Sequence, residues 1–421
     1  MSFSMCRRAF GAGLALALAT SASGQERSVL RLEEALRLSG FDPAPENPNT
    51  NSRLIASQAD AQAARALIDQ ARLSPNPELS FEVENIAGSG AFSGLRAAEY
   101  TVAVGQRLEL GGKRETRVRA ATAAARVSEL RSELASAELA LSVRERYIRA
   151  VAAAASRELA ADIVERSREL ARIAAVLVDV GREPPLRALR AQAALSEAEA
   201  DLQAAEAASW AARAALLALW ADAGPPPEVP ALFPNIEPPT ELMVDARRLT
   251  LEIARAERLA ADAEMARERS SRILDPVLSA GVRRFEESND QAFVVGVSVP
   301  LPFWNRNQGN IAAAQARLRA ATAREAVVRA DYGQAIIQAR SNYLAARSRV
   351  QTLSDTSLPQ AEEALRLVGI GYRNGRFPLI EVLSAAEARD SLREALIDAE
   401  EAQGLAAATL ISLSATQGIA Q

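Results

Sequence analysis

The sequence predicts a mostly α-helical protein with a small β part, built from two structural repeats of helix–β-hairpin–long helix–return helix. Three observations predict it. Segments of the first half return in the second, "NPELS" at 76–80 as "DPVLS" at 275–279 and "VGREPPLRALRAQ" at 180–192 as "NGRFPLIEVLSAA" at 374–386. Each half has two short segments in which apolar and polar residues alternate, which is the pattern of a β-hairpin. Each half also has a stretch of roughly 60 residues nearly free of glycine and proline, which is much longer than an ordinary globular helix.

The composition fits long packed helices and argues against catalysis. Of the 421 residues, 49% are hydrophobic but only 4% are aromatic, and alanine, leucine, arginine and glutamate dominate. The net charge of -4 gives no footprint for nucleic acid. The chain has no histidine, one cysteine and no phosphate-binding GxxxxGK[ST] loop. Without histidine the common general base and metal ligand are missing, so we predict no catalytic, cofactor-binding or metal residue and no enzyme.

The N-terminus predicts a secretory signal peptide over residues 1–24. Arg7 and Arg8 precede a short apolar run, Ala9–Ala19, which is too short to span a bilayer as a helix. Small residues then lead to a cleavage site after Gly24. Cys6 would leave with the signal, so we expect a mature chain without a disulfide or a lipid-modified cysteine.

The first repeat is predicted over 25–224. Apolar periodicity and breaking prolines predict two helices, Val29–Leu38 and Ser52–Leu73. Period-two segments then predict strands at about 78–86 and 99–109. No glycine or proline occurs from Lys113 to about Asp179, so this stretch predicts a helix on the order of 100 Å long. A tip at about 178–187 and a return helix, Leu186–Trp220, complete the repeat.

The second repeat is predicted over 241–421, after a proline-rich linker at 225–240. Its predicted elements follow the same order, beginning with helix Leu242–Arg269 and strands at about 276–286 and 291–301. A long helix from Gly309 to Val368 comes next, with Gly333 as its one interruption. A tip at about 369–381, made by Gly369, Gly371, Gly375 and Pro378, leads to the return helix Leu379–Ser414.

At the junctions between strand and long helix, "QRLELGGKR" at 106–114 aligns with "SVPLPFWNR" at 298–306. Because the chain turns sharply there, we predict that Gly111, Gly112 and Asn305 adopt unusual backbone dihedrals. Phe303 and Trp304 stand where an interfacial aromatic pair would sit if the strands entered a membrane.

Strands of about 10 alternating residues in a secreted chain have the length and pattern of outer-membrane strands. Four strands cannot close a barrel, and lipid does not tolerate open edges. Several chains must therefore share one barrel, and three copies would give twelve strands with the long helices as a bundle below. The alternative is a soluble periplasmic coiled-coil adaptor or scaffold, in which the hairpins are ordinary soluble β-structure.

The order of the repeats resembles the TolC-type outer-membrane factors of tripartite efflux pumps over essentially the whole mature chain. Within them, "RLELGGKR" at 107–114 and "PLPFWNRNQGNI" at 300–311 resemble the branch paired with cobalt–zinc–cadmium pumps. The resemblance implies a homotrimer: a twelve-stranded outer-membrane β-barrel continuous with a periplasmic α-helical coiled-coil tunnel. It implies three further contacts, with outer-membrane lipid, a periplasmic adaptor protein and an inner-membrane proton-driven pump.

The resemblance also implies functional residues at the tips, which form the closed periplasmic gate in this family. Tyr372 matches a gate tyrosine and Glu381 matches one of two acidic positions of the constriction. The second acidic position falls on Ser384, and the acidic partner of the tyrosine falls on Arg187, so both depart from the family pattern. We expect Glu381 to pair with Arg187 across the tip. The tips themselves, at Gly181, Arg182, Gly375 and Arg376, are expected to dock the adaptor.

The function predicted from these features is a passive exit duct in the outer membrane of a Gram-negative cell, with its helices in the periplasm. The two strand-exit motifs favour heavy-metal cations as cargo. Multidrug or polypeptide export by a duct of the same family stays open as an alternative.

Overall fold

A computed structural model of the chain describes residues 29–40, 51–220, 224–238 and 248–414. The predicted signal peptide, the proline-rich segment at 43–48, the start of the second repeat at 241–247 and parts of the predicted linker lie outside these ranges. The described residues form long helices and one four-stranded sheet, and the two halves have the same order of elements from the second helix onward.

The first half begins with a short helix, α1 (Leu32–Leu38), which starts three residues later than predicted. The elements that follow are α2 (Ser52–Arg72), β1 (Glu78–Glu84), β2 (Glu99–Arg107), α3 (Lys113–Asp179) and α4 (Pro185–Leu217). Helix α3 has 67 residues, so it extends on the order of 100 Å. Both strands end two residues before the predicted positions because the chain leaves the ladder at Asn85, where φ is 59°, and after Arg107.

The second half consists of α5 (Leu249–Ser270), β3 (Val277–Phe285), β4 (Gln291–Ser298), α6 (Gln308–Thr352), α7 (Leu358–Arg373) and α8 (Leu379–Leu413). A π-helical turn, Leu353–Ser357, joins α6 to α7 without a break. The predicted helix from Gly309 to Val368 overlooked Pro359, which lies two residues after this turn. Proline lacks an N–H, so one intrahelical hydrogen bond is lost there, and the wider π turn accommodates the ring without ending the helix.

The four strands form one antiparallel sheet in the order β1-β2-β3-β4. Phe81 lies opposite Val102, Val102 opposite Val282, and Val282 opposite Phe293. The two hairpins are therefore joined by β2 and β3, and β1 and β4 form the edges within this chain.

Helix α3 lies at the centre of the helical part, in contact with α2, α4, α5 and α8. Its buried face is rich in alanine, which lets the helices approach closely. Tyr147 is the largest side chain buried there, and its hydroxyl donates a hydrogen bond to the carbonyl of Leu30 over 3.0 Å. Helix α8 runs antiparallel to α3 and is held to it by ion pairs of Arg166 with Asp390 and of Arg393 with Asp162.

Candidate functional site: two helical tips and an apolar sheet face

The first tip is a left-handed turn between α3 and α4. Gly181 has φ +71°, a conformation that glycine adopts without a steric penalty. Its N–H donates to the carbonyl of Val178 over 2.9 Å, and the N–H of Arg182 donates to Leu177 over 2.9 Å. These bonds satisfy the last carbonyls of α3, and Pro185 then begins α4.

The second tip repeats this turn between α7 and α8. Gly375 has φ +69°, its N–H donates to Tyr372 over 2.9 Å, and the N–H of Arg376 donates to Gly371 over 2.8 Å. The turn is shorter than the predicted tip, because Gly369 and Gly371 lie inside α7. Gly371 serves a different purpose: a Cβ there would lie 2.2 Å from the ring of Phe377, so glycine leaves room for that ring.

The two tips pack against each other through Tyr372. Its ring is half-buried against a cluster that contains Val164, Ala174 and Leu379. Burial raises the pKa of the Tyr372 hydroxyl, the nearby carboxylate of Glu183 raises it further, and the guanidinium groups of Arg187 and Arg182 lower it. The sequence-predicted Tyr372 and Arg187 therefore lie close together within one chain.

Arg187 does not pair with Glu381 within the chain, contrary to one reading of the prediction. Its Nε lies 3.2 Å from the carboxylate of Glu183, one turn earlier, and Glu381 has no partner of opposite charge among the ion pairs of the described residues. Glu183 stands four residues before Arg187 on the chain, so its carboxylate is the nearer one. Glu381 and Ser384 are exposed. A pair between Arg187 and the Glu381 of a neighbouring chain stays a prediction.

The glycines of the first junction adopt the predicted conformation, since Gly111 and Gly112 both have φ +69°. The second junction corrects the prediction. Asn307 has φ 59° and precedes α6, whereas Asn305 supports it by accepting a hydrogen bond from the N–H of Asn307 over 3.0 Å. Nine residues (299–307) lie between β4 and α6, against five (108–112) between β2 and α3, so the aligned motifs are out of register.

Phe303 and Trp304 lie in this longer second junction. Their rings meet edge to face with centroids 6.0 Å apart, and Trp304 is 88% exposed. An exposed tryptophan with an aromatic neighbour at the helical end of a sheet is typical of a membrane interface.

The sheet has one face of apolar side chains that none of the described residues covers. The register places these side chains side by side on that face. Phe293 is 90% exposed, Val295 80% and Leu79 75%. The remaining large members are half-buried or exposed: Phe81, Val102, Val104, Leu278, Val282 and Val297. So large a contiguous apolar surface marks contact with a membrane or another protein.

The opposite face of the sheet carries a polar group around Arg283, near the end of β3. Its guanidinium lies 2.8 Å from the carboxylate of Glu84 and 2.8 Å from that of Glu99, and it donates to the Thr101 hydroxyl over 2.9 Å. This group is not predicted from the sequence, because the alternation in β3 ends at Arg283: Arg284 falls on the apolar face and Phe285 on the polar one. Cross-strand partners depend on the register of three strands, which one strand's pattern does not give.

Within the described ranges no group of three or more acidic, histidine or cysteine side chains could hold a metal ion. None of the helices described is long and apolar enough to cross a membrane.

Comparisons with known proteins agree with this arrangement. The family model for outer membrane efflux proteins matches the chain twice, over residues 49–222 and 243–416. The chain is 30% identical over 362 residues to the cobalt-zinc-cadmium resistance protein CzcC of Cupriavidus metallidurans, covering 85% of this chain and 83% of that protein. It is 32% identical to the nickel-cobalt-cadmium resistance protein NccC of Alcaligenes xylosoxydans xylosoxydans, covering 82% of this chain and 78% of that protein.

The fold is also that of a solved channel. The crystal structure of the Campylobacter jejuni CmeC outer membrane channel matches with a TM-score of 0.77 at 14% identity, covering 91% of this chain and 85% of that one. The twofold match to the family model corresponds to the two halves seen in the structure. The chain therefore belongs to the outer membrane efflux protein family, and it is an efflux channel of the outer membrane.

Proposed function

We propose that three copies of this chain form a passive exit duct for heavy-metal cations, with a twelve-stranded barrel in the outer membrane and a helical tunnel in the periplasm. The observation that carries the proposal is the uncovered apolar face of the sheet. Lipid would cover that face, and the edges β1 and β4 would pair with neighbouring copies, because open edges are not tolerated in hydrocarbon. Four strands from each of three chains meet the size of a closed barrel.

The polar face then lines the lumen. Arg283 is neutralised there by Glu84 and Glu99, which fits a water-filled interior. A duct of this kind needs no catalytic group, and transport is driven by its partners: a periplasmic adaptor at the tips and an inner-membrane proton-driven pump.

The leader at 1–24 would be removed to leave a mature start near Gln25 without lipid. The intact mass of the protein checks this prediction.

The architecture is tested by placing one arginine on each face of the sheet. Val295→Arg places a charge on the apolar face and costs about 2–4 kcal/mol if that residue meets the middle of the bilayer. Ser80→Arg, on the polar face, is the matched control. We expect the wild type and Ser80→Arg to be recovered from outer membranes, and mass measurement in detergent should show that both are trimers. Val295→Arg should not be recovered from outer membranes. A monodisperse wild-type monomer with folded β-structure would contradict the shared barrel.

The cargo is proposed from the relatives. CzcC and NccC are named for resistance to cobalt, zinc, cadmium and nickel, and the net negative charge of this chain, -4, is compatible with cationic cargo. Deletion of the gene should sensitise the host to one or more of these four ions, and the wild-type chain should restore growth. Sensitivity to a panel of drugs and dyes should not change. Loss of drug resistance with normal metal resistance would instead support a multidrug duct.

A further inference from the structure

The second strand-to-helix junction begins with an exposed apolar arm, residues 299–304, which directly follows β4. In this arm Leu301, Phe303 and Trp304 expose between 65% and 88% of their area, so the apolar surface of the sheet continues into the junction. The sequence then changes from PLPFW at 300–304 to NRNQGN at 305–310. A sharp change from apolar to polar residues at an exposed aromatic pair indicates the boundary between a membrane and water.

Arg306 places a positive charge at this boundary. Its Nε–H donates to the carbonyl of Pro302 over 3.3 Å, which holds the guanidinium beside the arm. Its two terminal nitrogens donate no hydrogen bond and form no ion pair among the described residues. The side-chain amide of Gln308 donates to the Trp304 carbonyl over 3.1 Å and accepts from the Arg306 N–H over 2.8 Å. The junction therefore presents a free guanidinium and an exposed indole together.

Carboxylates at this end of the sheet are already engaged. Residues 291–324 contain no aspartate or glutamate. The carboxylates that neighbouring elements bring to this end are each paired with a basic side chain: Glu78, Glu109, Glu115, Glu268 and Asp275. By contrast, several exposed arginines at the same end form no ion pair among the described residues: Arg114, Arg269, Arg272 and Arg306. This end of the sheet therefore has positive charge that the described residues do not balance.

A groove of about 360 Å³ lies next to Trp304, between the arm and the start of α6. Two amide side chains that line it have unused hydrogen-bonding groups. Asn305 accepts from the Asn307 N–H through Oδ1, and its Nδ2 donates to no described residue. Asn310 donates to Asn307 through Nδ2 over 2.7 Å, and its Oδ1 accepts from no described residue. A hydroxyl both donates and accepts, so it suits this pair of groups.

The groups at this junction define the chemistry of a ligand. A guanidinium binds phosphate by paired hydrogen bonds, and an aromatic ring at the membrane boundary lies at the level of the lipid headgroups. A phospholipid with a hydroxylated headgroup would offer its phosphate to Arg306, its hydroxyls to Asn305 and Asn310, and its acyl chains to the apolar arm. A headgroup with an ammonium fits less well, because the unpaired arginines at this end repel it.

We propose that Trp304, Arg306 and the adjoining groove bind an anionic phospholipid with a hydroxylated headgroup in the periplasmic leaflet of the outer membrane. The first junction offers no such site, because Lys113 lies 2.7 Å from the carboxylate of Asp275 and residues 108–116 contain no aromatic side chain. Each chain therefore has one site of this kind. The inference rests on the proposed function, in which lipid covers the apolar face of the sheet, and adds the headgroup that the junction selects.

The test measures by native mass spectrometry the lipid that the full chain retains in detergent. The chain is first incubated with equal amounts of phosphatidylglycerol and phosphatidylethanolamine that have the same acyl chains. The wild type should prefer phosphatidylglycerol by about fivefold, the ratio that corresponds to about 1 kcal/mol for an arginine at a charged membrane surface. Arg306→Gln should retain both lipids equally. Arg306→Lys keeps the charge but loses the bond from Nε, so it should keep the preference. Loss of the preference in Arg306→Lys would mean that the conformation of the arm selects the lipid, and would overturn recognition by charge.

Trp304→Ala should lower the retained amount of both lipids without changing their ratio. The matched control is Arg284→Gln at the opposite end of β3, where Arg284 donates to Asn289 over 2.9 Å. This control should keep the wild-type preference, and equal loss there would mean that total charge is responsible. Equal retention of the two lipids by the wild type would overturn the inference. So would displacement of phosphatidylglycerol by inorganic phosphate, because the site would then bind a phosphate ion without needing a lipid.

The result is separable from that of the proposed function, because bound lipid is counted per chain. A monodisperse monomer that still prefers phosphatidylglycerol would contradict the shared barrel and leave the lipid site standing. A trimer that confers metal resistance but shows no lipid preference would support the duct and overturn the lipid site.

Discussion

At the scale of single residues, the backbone at the two strand-to-helix junctions depends on a few special positions. Gly111 and Gly112 supply left-handed conformations in the first junction, and Asn307 supplies one in the second. Asn307 also fixes the neighbouring helix, because its side-chain amide donates to the carbonyl of Glu268 over 2.8 Å and to its carboxylate over 2.7 Å. Asn307 therefore adopts the left-handed conformation before α6 and also links α6 to α5.

We expect Asn307→Ala to lower the apparent melting temperature in detergent more than Asn307→Gly does. Both variants lose the bonds to Glu268, but alanine in addition pays the steric cost of a positive φ, about 1–2 kcal/mol. Asn342→Ala, on the exposed side of α6, is the control and should change stability little. An equal effect of alanine and glycine would show that the conformation of residue 307 is not strained.

The same contact predicts a dependence on pH. The hydrogen bond from Asn307 lowers the pKa of the Glu268 carboxyl, burial opposes this, and Arg267 adds to the lowering. Since the folded pKa lies below the unfolded one, this stabilisation is present above the unfolded pKa of about 4.3 and is lost as the pH falls through the folded pKa. Asn307→Gly should flatten that acid-side loss of stability, and an unchanged pH profile would contradict the assignment.

Single residues also show which features of this fold the sequence does and does not predict. The pattern of β3 predicted a strand at about 276–286, and the observed strand is Val277–Phe285, because a period of two marks a strand. The motif alignment points to Asn305 and not to Asn307, because the two junctions differ in length and an alignment of short motifs does not reveal that difference. The predicted pairing of Arg187 with Glu381 fails within the chain for another reason: Glu183, one turn earlier on the same chain, takes the guanidinium, and only side-chain geometry shows this.

At the scale of elements, helix α3 was predictable because no residue in 113–179 interrupts it. The path of α6 into α7 was not, since Pro359 is a helix breaker whose effect depends on the turn before it. The π turn at Leu353–Ser357 leaves the helix continuous to Arg373. The helix continues past Pro359 here, because α8 packs against α6, the π turn and α7.

The tips are the elements on which docking depends, and the glycines are the positions to change. We expect Gly181→Trp or Gly375→Trp to abolish metal resistance, because each places a bulky side chain at a positive φ on the proposed docking end. Trimer formation and recovery from the outer membrane should be unchanged. The control is Gly333→Trp, a helical glycine of α6 with open space around its Cβ position. Normal resistance with both tip variants combined would remove the tips from the docking site.

At the scale of the whole molecule, threefold symmetry turns single side chains into rings. Glu381 and Arg187 occupy equivalent positions in the two tips, and their N–H groups donate to Pro378 over 3.1 Å and to Pro184 over 2.9 Å, respectively. A trimer would therefore bring six equivalent tip positions around one axis, three acidic and three basic. Such a ring concentrates the electrostatic field where the tunnel is expected to be narrowest.

Two substitutions test whether this ring forms the gate. Glu381→Gln removes three negative charges from the proposed constriction, so the reconstituted pore should lose part of its preference for cations. Arg187→Ala breaks the ion pair with Glu183 beside Tyr372 and loosens the contact between the tips, so the pore should open more often. A partly exposed pair contributes up to about 1 kcal/mol, which corresponds to about a fivefold change in the ratio of open to closed states for each chain.

Single-channel recordings in planar bilayers measure both quantities, with Arg190→Ala as the control. Arg190 is exposed, lies one turn beyond Arg187, and has no ion pair in the described part of the chain, so its removal should leave gating unchanged. If Arg187→Ala acts through Glu183, then Glu183→Gln should raise the open probability in the same way, since it breaks the same bond from the other side. Wild-type selectivity in Glu381→Gln together with wild-type gating in Arg187→Ala would mean that both are solvated helix residues and that the constriction lies elsewhere in the tunnel.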